Sequence, residues 1–120
     1  MPPCPILRPI QFVDDADQHF LRNLPSGTRK AIAEELRRMQ RREPPLQFRP
    51  LKQFGSGVGE LKRGGVRVVV SMTADPNAIW IVCSFDKDSS AGAKMKKEHK
   101  DQIEAALRRL RQRIGTSKRG

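Results

Sequence analysis

Two glycines decide the middle of this chain. Gly64-Gly65 stands between Val58–Arg63 and Val66–Thr73, two runs in which side chains of opposite character alternate. Period-two alternation marks strands, and a Gly-Gly connection supplies the positive φ that a tight antiparallel hairpin needs. With Arg63 and Val66 flanking the turn, Lys62 falls directly opposite Arg67. Like charges facing each other across a strand pair destabilise a sheet. An anion held between them removes the repulsion, so the register itself points to an anionic ligand.

The rest of the chain supplies what such a hairpin must pack against. Ile6–Val13 reads as a first strand, and Pro9 puts it at a sheet edge. Asp14-Asp15-Ala16-Asp17 begins a helix, with acids suited to its N-terminal dipole. Ala16, Phe20 and Leu21 turn inward, and the helix stops before Pro25. Ser26 caps a second helix over Thr28–Arg42, with Ile32, Leu36 and Met39 at helical spacing; Pro44-Pro45 ends it. The two form an antiparallel helical hairpin. Ala74-Asp75-Pro76-Asn77 has turn chemistry, and Ala78–Phe85 is the next strand. Alternation gives the sheet an apolar face of Leu61, Val66, Val68, Val70, Met72, Ile79, Ile81, Cys83 and Phe85, to be covered by the helical hairpin. Glu60, Lys62, Arg67, Val69, Ser71, Trp80, Val82 and Ser84 take the other face, a half-covered cleft floor. After a polar loop, Asp86–Gly92, a last helix runs over Met95–Ile114. Ile103, Leu107, Leu110 and Ile114 form its apolar stripe, and Gly115 closes it.

One α+β domain over residues 1–120 accounts for this pattern, with 1–5 and 115–120 as flexible ends. The net charge of +11 favours a polyanionic partner, nucleic acid first. The excess is uneven. Met1–Phe20 carries one arginine against three aspartates, whereas Asp86–Gly120 carries eleven Lys/Arg against five acids. Cys4 and Cys83 suggest no disulfide framework; Cys83 sits in an apolar strand as a small buried hydrophobe. Two cysteines and two histidines at unrelated spacings give no zinc pattern, and no metal or other cofactor is expected. There is no membrane-length apolar run and no secretory N-terminus, so a cytoplasmic protein without a membrane partner is expected.

Several short motifs, in order, resemble one family. Asn23-Leu24-Pro25 precedes an arginine-bearing helix. Pro50-Leu51-Lys52-Gln53-Phe54 leads into Gly57-Val58-Gly59-Glu60-Leu61-Lys62 and then Val66-Arg67-Val68. Phe85-Asp86-Lys87-Asp88 and Glu104-Ala105-Ala106 follow. This order resembles the RelE-like toxins of bacterial toxin–antitoxin pairs, most closely the HigB and phage-derived branch, over Ile6–Ile114. Gly59 stands where the family has tryptophan, Lys62 where it has arginine, Asp88 where it has lysine, and the chain has no tyrosine. The resemblance implies a RelE-like fold: an N-terminal strand and helical hairpin packed on an antiparallel sheet, with a long basic C-terminal helix.

It also implies a type II toxin that is a metal-independent mRNA endoribonuclease, acting on the ribosome to inhibit translation and growth and neutralised by a cognate antitoxin. Such chemistry needs cations where transition-state charge gathers, a base for the ribose 2′-hydroxyl and an acid for the leaving oxygen. Arg67, Lys62, Lys87 and His99 are the candidate catalytic residues. Lys52, Arg63, Trp80, Lys94 and Lys97 are candidate RNA contacts. Each has a plainer reading. The strand-end cations can be solvated charges, Glu60 a cross-strand ion-pair partner, His99 a packed imidazole and Trp80 a half-buried core residue. Two other functions stay open: a RelE-like binding protein without catalysis, and a small basic DNA-binding domain.

Overall fold

The computed structural model of the chain describes residues 8–44, 46–55, 57–75, 77–86 and 97–119, with side chains as far as Ile114. Its elements are β1 (Ile10–Phe12), α1 (Asp15–Arg22), α2 (Ser26–Gln40), β2 (Phe48–Pro50), a 3-10 turn (Lys52–Phe54), β3 (Val58–Arg63), β4 (Val66–Ser71), β5 (Ile79–Asp86) and α3 (Lys97–Arg119). The five strands form one sheet in the order β1-β5-β4-β3-β2. The α+β architecture of strand, helical hairpin, sheet and basic final helix is the expected one. The sheet is mixed rather than antiparallel, because β1 pairs parallel with β5. The α1–α2 hairpin occupies the connection after β1, and the chain returns to pair beside it. Pro9 precedes β1 at the sheet edge, as its missing N–H requires.

The hairpin register is as read from the glycines. Lys62 pairs with Arg67 and Arg63 with Val66. Gly64 carries the positive φ, 56°, and Gly65 does not, the φ signature of a type II′ turn. β2 was not foreseen. It pairs antiparallel with β3, matching Arg49 to Glu60 and Pro50 to Gly59. Its approach is fixed by Glu35, a buried acid of α2 that accepts hydrogen bonds from the N–H groups of Leu46 (2.7 Å) and Gln47 (3.3 Å).

Helices cover both faces of the sheet. Ile32, Leu36 and Met39 of α2 pack on Leu61, Val66, Val68, Val70, Ile79 and Ile81, with Phe20, Leu21 and Leu24 alongside. Ile103, Ala106, Leu107 and Leu110 of α3 pack on Val58, Val69, Val82, Cys83 and Phe85. Cys83 and Phe85 therefore lie on the opposite face from the one alternation assigned, and the second face is core over most of its length rather than a half-covered cleft floor. The cause is a β-bulge. Val69 pairs with Cys83 but Val70 pairs with Ile81, leaving Val82 as the extra residue. One inserted residue reverses the parity of everything after it.

The same shift turns Ser84 toward α1. There Asp17 is buried and its Oδ1 accepts from the Ser84 N–H (2.9 Å) and hydroxyl (2.8 Å). Asp17, not the exposed Ala16, is thus the inward-facing residue of the first turn of α1. Burial raises the Asp17 carboxyl above its ordinary value, the two Ser84 hydrogen bonds oppose that shift, and Asp14 adds to it. Burial also pushes the Cys83 thiol up to about 12, with the Asp17 charge contributing. The folded protein holds the Asp17 proton more tightly than the unfolded chain. Stability from this group falls as pH rises from the ordinary aspartate value through the raised one. Asp17→Asn is expected to remove that slope in denaturant titrations between pH 4 and neutrality. Asp17→Ala strands two Ser84 groups and is expected to cost about 1–3 kcal/mol at neutral pH.

Helix limits agree with expectation at the start of α1 and differ from it in two other places. Asp14 caps α1, its Oδ1 accepting from the Ala16 N–H at 2.9 Å. Ser26, however, is the first residue of α2 rather than its cap; Pro25 holds the cap position without a side-chain bond. The helix α3 continues through Gly115 to Arg119. The expected start of that helix at Met95, and of the first strand at Ile6, lie outside the described residues. Arg8 closes the far edge: its guanidinium donates to the carbonyls of Met39 (2.7 Å) and Met72 (3.1 Å), tying the end of α2 to the end of β4. Among the described residues, no helix is long and apolar enough to cross a membrane.

Gly59 also has a packing role. A Cβ there would overlap the Phe48 ring and lie 2.8 Å from the Arg49 carbonyl oxygen. The Phe48 ring thus occupies the space above the strand position where the family motif has tryptophan. Gly59→Ala is expected to lower stability by about 1–3 kcal/mol in thermal or denaturant unfolding, because the clash includes backbone that cannot swing away.

Candidate RNA-binding and catalytic site

The turn end of the β3–β4 hairpin gathers several of the candidate residues, with Lys62 and Arg67 on the α3 side of the sheet and Arg63 paired with Val66 of the α2-side core. Lys62, Arg67 and Phe85 form a row across β3, β4 and β5. At about 4.8 Å per strand, this row spans about 10 Å. His99, in the first turns of α3, stacks on Phe85 with ring centroids 3.9 Å apart and planes 13° from parallel. Its Nδ1 is buried and has no hydrogen-bond partner among the described residues. Lys97 lies two residues earlier at the exposed start of α3. The fold therefore brings Lys62, Arg63, Arg67, Lys97 and His99 to one end of the molecule.

The two facing cations differ sharply in environment. Lys62 is exposed, whereas Arg67 is only 8 % exposed. The Arg67 Nη1 donates to the carbonyls of Gly64 (2.7 Å) and Val66 (3.1 Å), so the guanidinium braces its own turn. Its Nε lies 3.9 Å from Oε1 of the buried Glu60. The same oxygen is 4.0 Å from Nη1 of Arg49, whose side chain is largely exposed. Glu60 thus has the cross-strand ion-pair geometry, shared between two arginines.

Arg49 is the site residue that sequence reasoning missed. It sits on β2 directly beside Glu60, adding a third cation to the row's edge. The available signal was Phe48 between the polar Gln47 and Arg49, too short a stretch to establish alternation. Lys62 and Arg63 also border a cavity of about 230 Å³ beneath the hairpin, closed by α2 and the exposed Leu46.

Other candidates lie elsewhere. Trp80 pairs with Ser71, four residues along β4 from Arg67 and so about 13 Å away. It packs on the α3 core, and its indole N–H donates to Asp75 at 3.2 Å. Lys52 is exposed on the 3-10 turn. Lys87 and Lys94 fall outside the described residues. No group of His, Cys, Asp and Glu among the described residues is arranged to hold a metal ion. What remains is an exposed ammonium beside a braced guanidinium, with an imidazole stacked two strands away. Such a set can neutralise a phosphodiester and move a proton near it.

A family model described as "Phage derived protein Gp49-like (DUF891)" matches residues 19–111. Among curated proteins, no relative matches the chain. One similar solved structure is "The crystal structure of the toxin-antitoxin complex RelBE2" from Mycobacterium tuberculosis. It is 20% identical, covers 68% of this chain and 93% of that one, and superposes with a TM-score of 0.48. The family match, not this structural likeness, assigns the chain.

Proposed function

The chain belongs to the Gp49-like family of phage-derived proteins, the branch of the RelE-like toxins that its motif order resembles, and from that premise we propose that it is the toxin of a type II pair, a metal-independent endoribonuclease of mRNA. Its partners are a cognate antitoxin and mRNA on the ribosome, in the cytoplasm. The observation that carries this reading is the row Lys62–Arg67–Phe85 with His99 stacked at its end. The ribose 2′-oxygen attacks the neighbouring phosphorus as its proton leaves to a base. The bond from phosphorus to the 5′-oxygen breaks and that oxygen takes up a proton, leaving a 2′,3′-cyclic phosphate. Lys62 neutralises the non-bridging oxygens, Arg67 lends fixed positive charge beneath them, and His99 carries the proton. Lys87, next after the end of β5, is a further cation for the same phosphate. Arg63 and Lys97 hold flanking RNA.

Expression of the protein should arrest growth, and co-expression of its cognate antitoxin should relieve the arrest. Purified protein, added to mRNA on intact ribosomes, should release fragments ending in cyclic phosphate. A second reading follows from the burial of Arg67 against its own turn and Glu60: an RNA- or antitoxin-binding protein without cleavage. Tight binding with no cyclic-phosphate product, with or without ribosomes, would select it.

A further inference from the structure

On the flank of α3 away from β1 lies an open polar cavity of about 240 Å³. Arg108, Arg111 and Glu104 of α3 line one wall, Gln53 and Phe54 of the 3-10 turn the other, with Leu107 at the base. The four arginines in the described side-chain portion of α3 divide by flank. Arg109 lies 3.4 Å from Asp14, and Arg113 donates to the Phe12 carbonyl at 3.1 Å, so both serve the fold on the β1 side. Arg108 and Arg111 have no ion-pair or hydrogen-bond partner among the described residues, and they face the cavity. Even with Glu104 counted, its wall carries net positive charge.

The position of this cavity relative to the candidate site is informative. Phe54 and Val58 belong to the core under α3, four residues along β3 from Lys62, about 13 Å. On the helix, Arg108 is nine residues beyond His99, again about 13 Å. The two edges agree: the exposed Arg49, paired with Glu60, stands between the two ends, and the exposed Lys52 adjoins Gln53 at the cavity end. A line of cations therefore runs from Lys62 past Arg49 and Lys52 to Arg108 and Arg111. Their spacing suits the successive phosphates of an extended strand, not a single small anion.

We propose that the cavity between the 3-10 turn and α3 is a distal phosphodiester subsite for single-stranded RNA, a few nucleotides from the bond cut at Lys62 and Arg67. This rests on the endoribonuclease reading. Arg108 and Arg111 hold one phosphate from the α3 wall, and the Gln53 amide on the facing wall bonds the sugar or phosphate oxygens. RNA that stops short of the cavity gains nothing from it.

The test is binding of full-length protein to fluorescein-labelled single-stranded RNAs of graded length, about two to ten nucleotides. Affinity should rise in a step where the strand becomes long enough to reach the cavity. Arg108→Ala/Arg111→Ala should remove that step, weakening the longest RNA about tenfold, leaving the shortest unchanged and reducing the salt slope by about 0.7. A control, Lys30→Ala/Arg37→Ala, removes the same charge from exposed positions of α2 on the opposite face. It should keep the step. Equal weakening by both pairs at every length reduces the effect to bulk charge and overturns the subsite. A step untouched by the α3 pair overturns it while leaving the endoribonuclease reading in place. Loss of binding to an acidic antitoxin with RNA binding intact assigns the cavity to that protein and also overturns the proposal. Wild-type protein that binds no RNA of any length overturns both.

Discussion

Arg67→Ala is expected to lower the unfolding free energy by about 3–5 kcal/mol, enough to cost a domain of this size much of its stability. The family motif makes Arg67 the obvious residue to mutate, and loss of toxicity in that variant would pass for proof of catalysis. The structure gives another cause. Arg67 is almost wholly buried, it supplies two hydrogen bonds to the carbonyls of its own turn, and it is the nearer of the two cations beside the buried Glu60. Its removal leaves Glu60 facing only Arg49, which approaches from the solvent side at 4.0 Å. A buried carboxylate deprived of its inner partner is costly, whereas removal of both charges is much less so. Glu60→Gln in the Arg67→Ala background should therefore recover about 1 kcal/mol or more of the loss in denaturant titrations. An Arg67→Ala protein that melts with the wild type would show that the guanidinium is a free functional cation after all.

That dual character marks where the sequence stops being legible. The facing of Lys62 and Arg67 could be read because Gly64-Gly65 leaves a two-residue turn one register. Which of the two cations stays in water could not, since it depends on Glu60 from β3 and on α3 arriving from about thirty residues further on. The apolar run Ile79–Val82 conceals its own bulge. With four apolar residues in succession, alternation offers no parity to check, and carried through the bulge it puts Cys83, Ser84 and Phe85 on the wrong faces. Phe85 matters most among these, because its true face is what places His99 at the site. β2 has three residues and ends in Pro50, too few for any periodicity, so Arg49 had no visible strand to belong to. The helical hairpin was legible for the opposite reason: α2 is long enough for Ile32, Leu36 and Met39 to repeat, and all three are buried. Asp17 read as a helix-start acid; its second role needs Ser84, 67 residues away in sequence.

Lys62→Ala is the variant in which chemistry and folding separate. The side chain is exposed, and no hydrogen bond or ion pair of its ammonium group holds the fold among the described residues. The substitution should leave stability within about 0.5 kcal/mol of wild type, and it removes a like charge facing Arg67. If Lys62 neutralises the phosphate as charge builds in the transition state, single-turnover cleavage should fall about 10²- to 10³-fold. RNA affinity should fall far less, because one phosphate contact among several is lost. Lys62→Arg should restore most of the rate, since it returns the charge and adds the fork that the family motif carries at this position. His99→Ala should also slow cleavage, and a pH–rate profile separates the two. Loss of an ammonium lowers the whole curve, whereas loss of a proton carrier changes its shape. A Lys62→Ala protein that folds normally and cleaves at the wild-type rate would move the reaction away from the β3–β4 pair. The shared position of Lys62 and Arg67 would then be a matter of strand register alone.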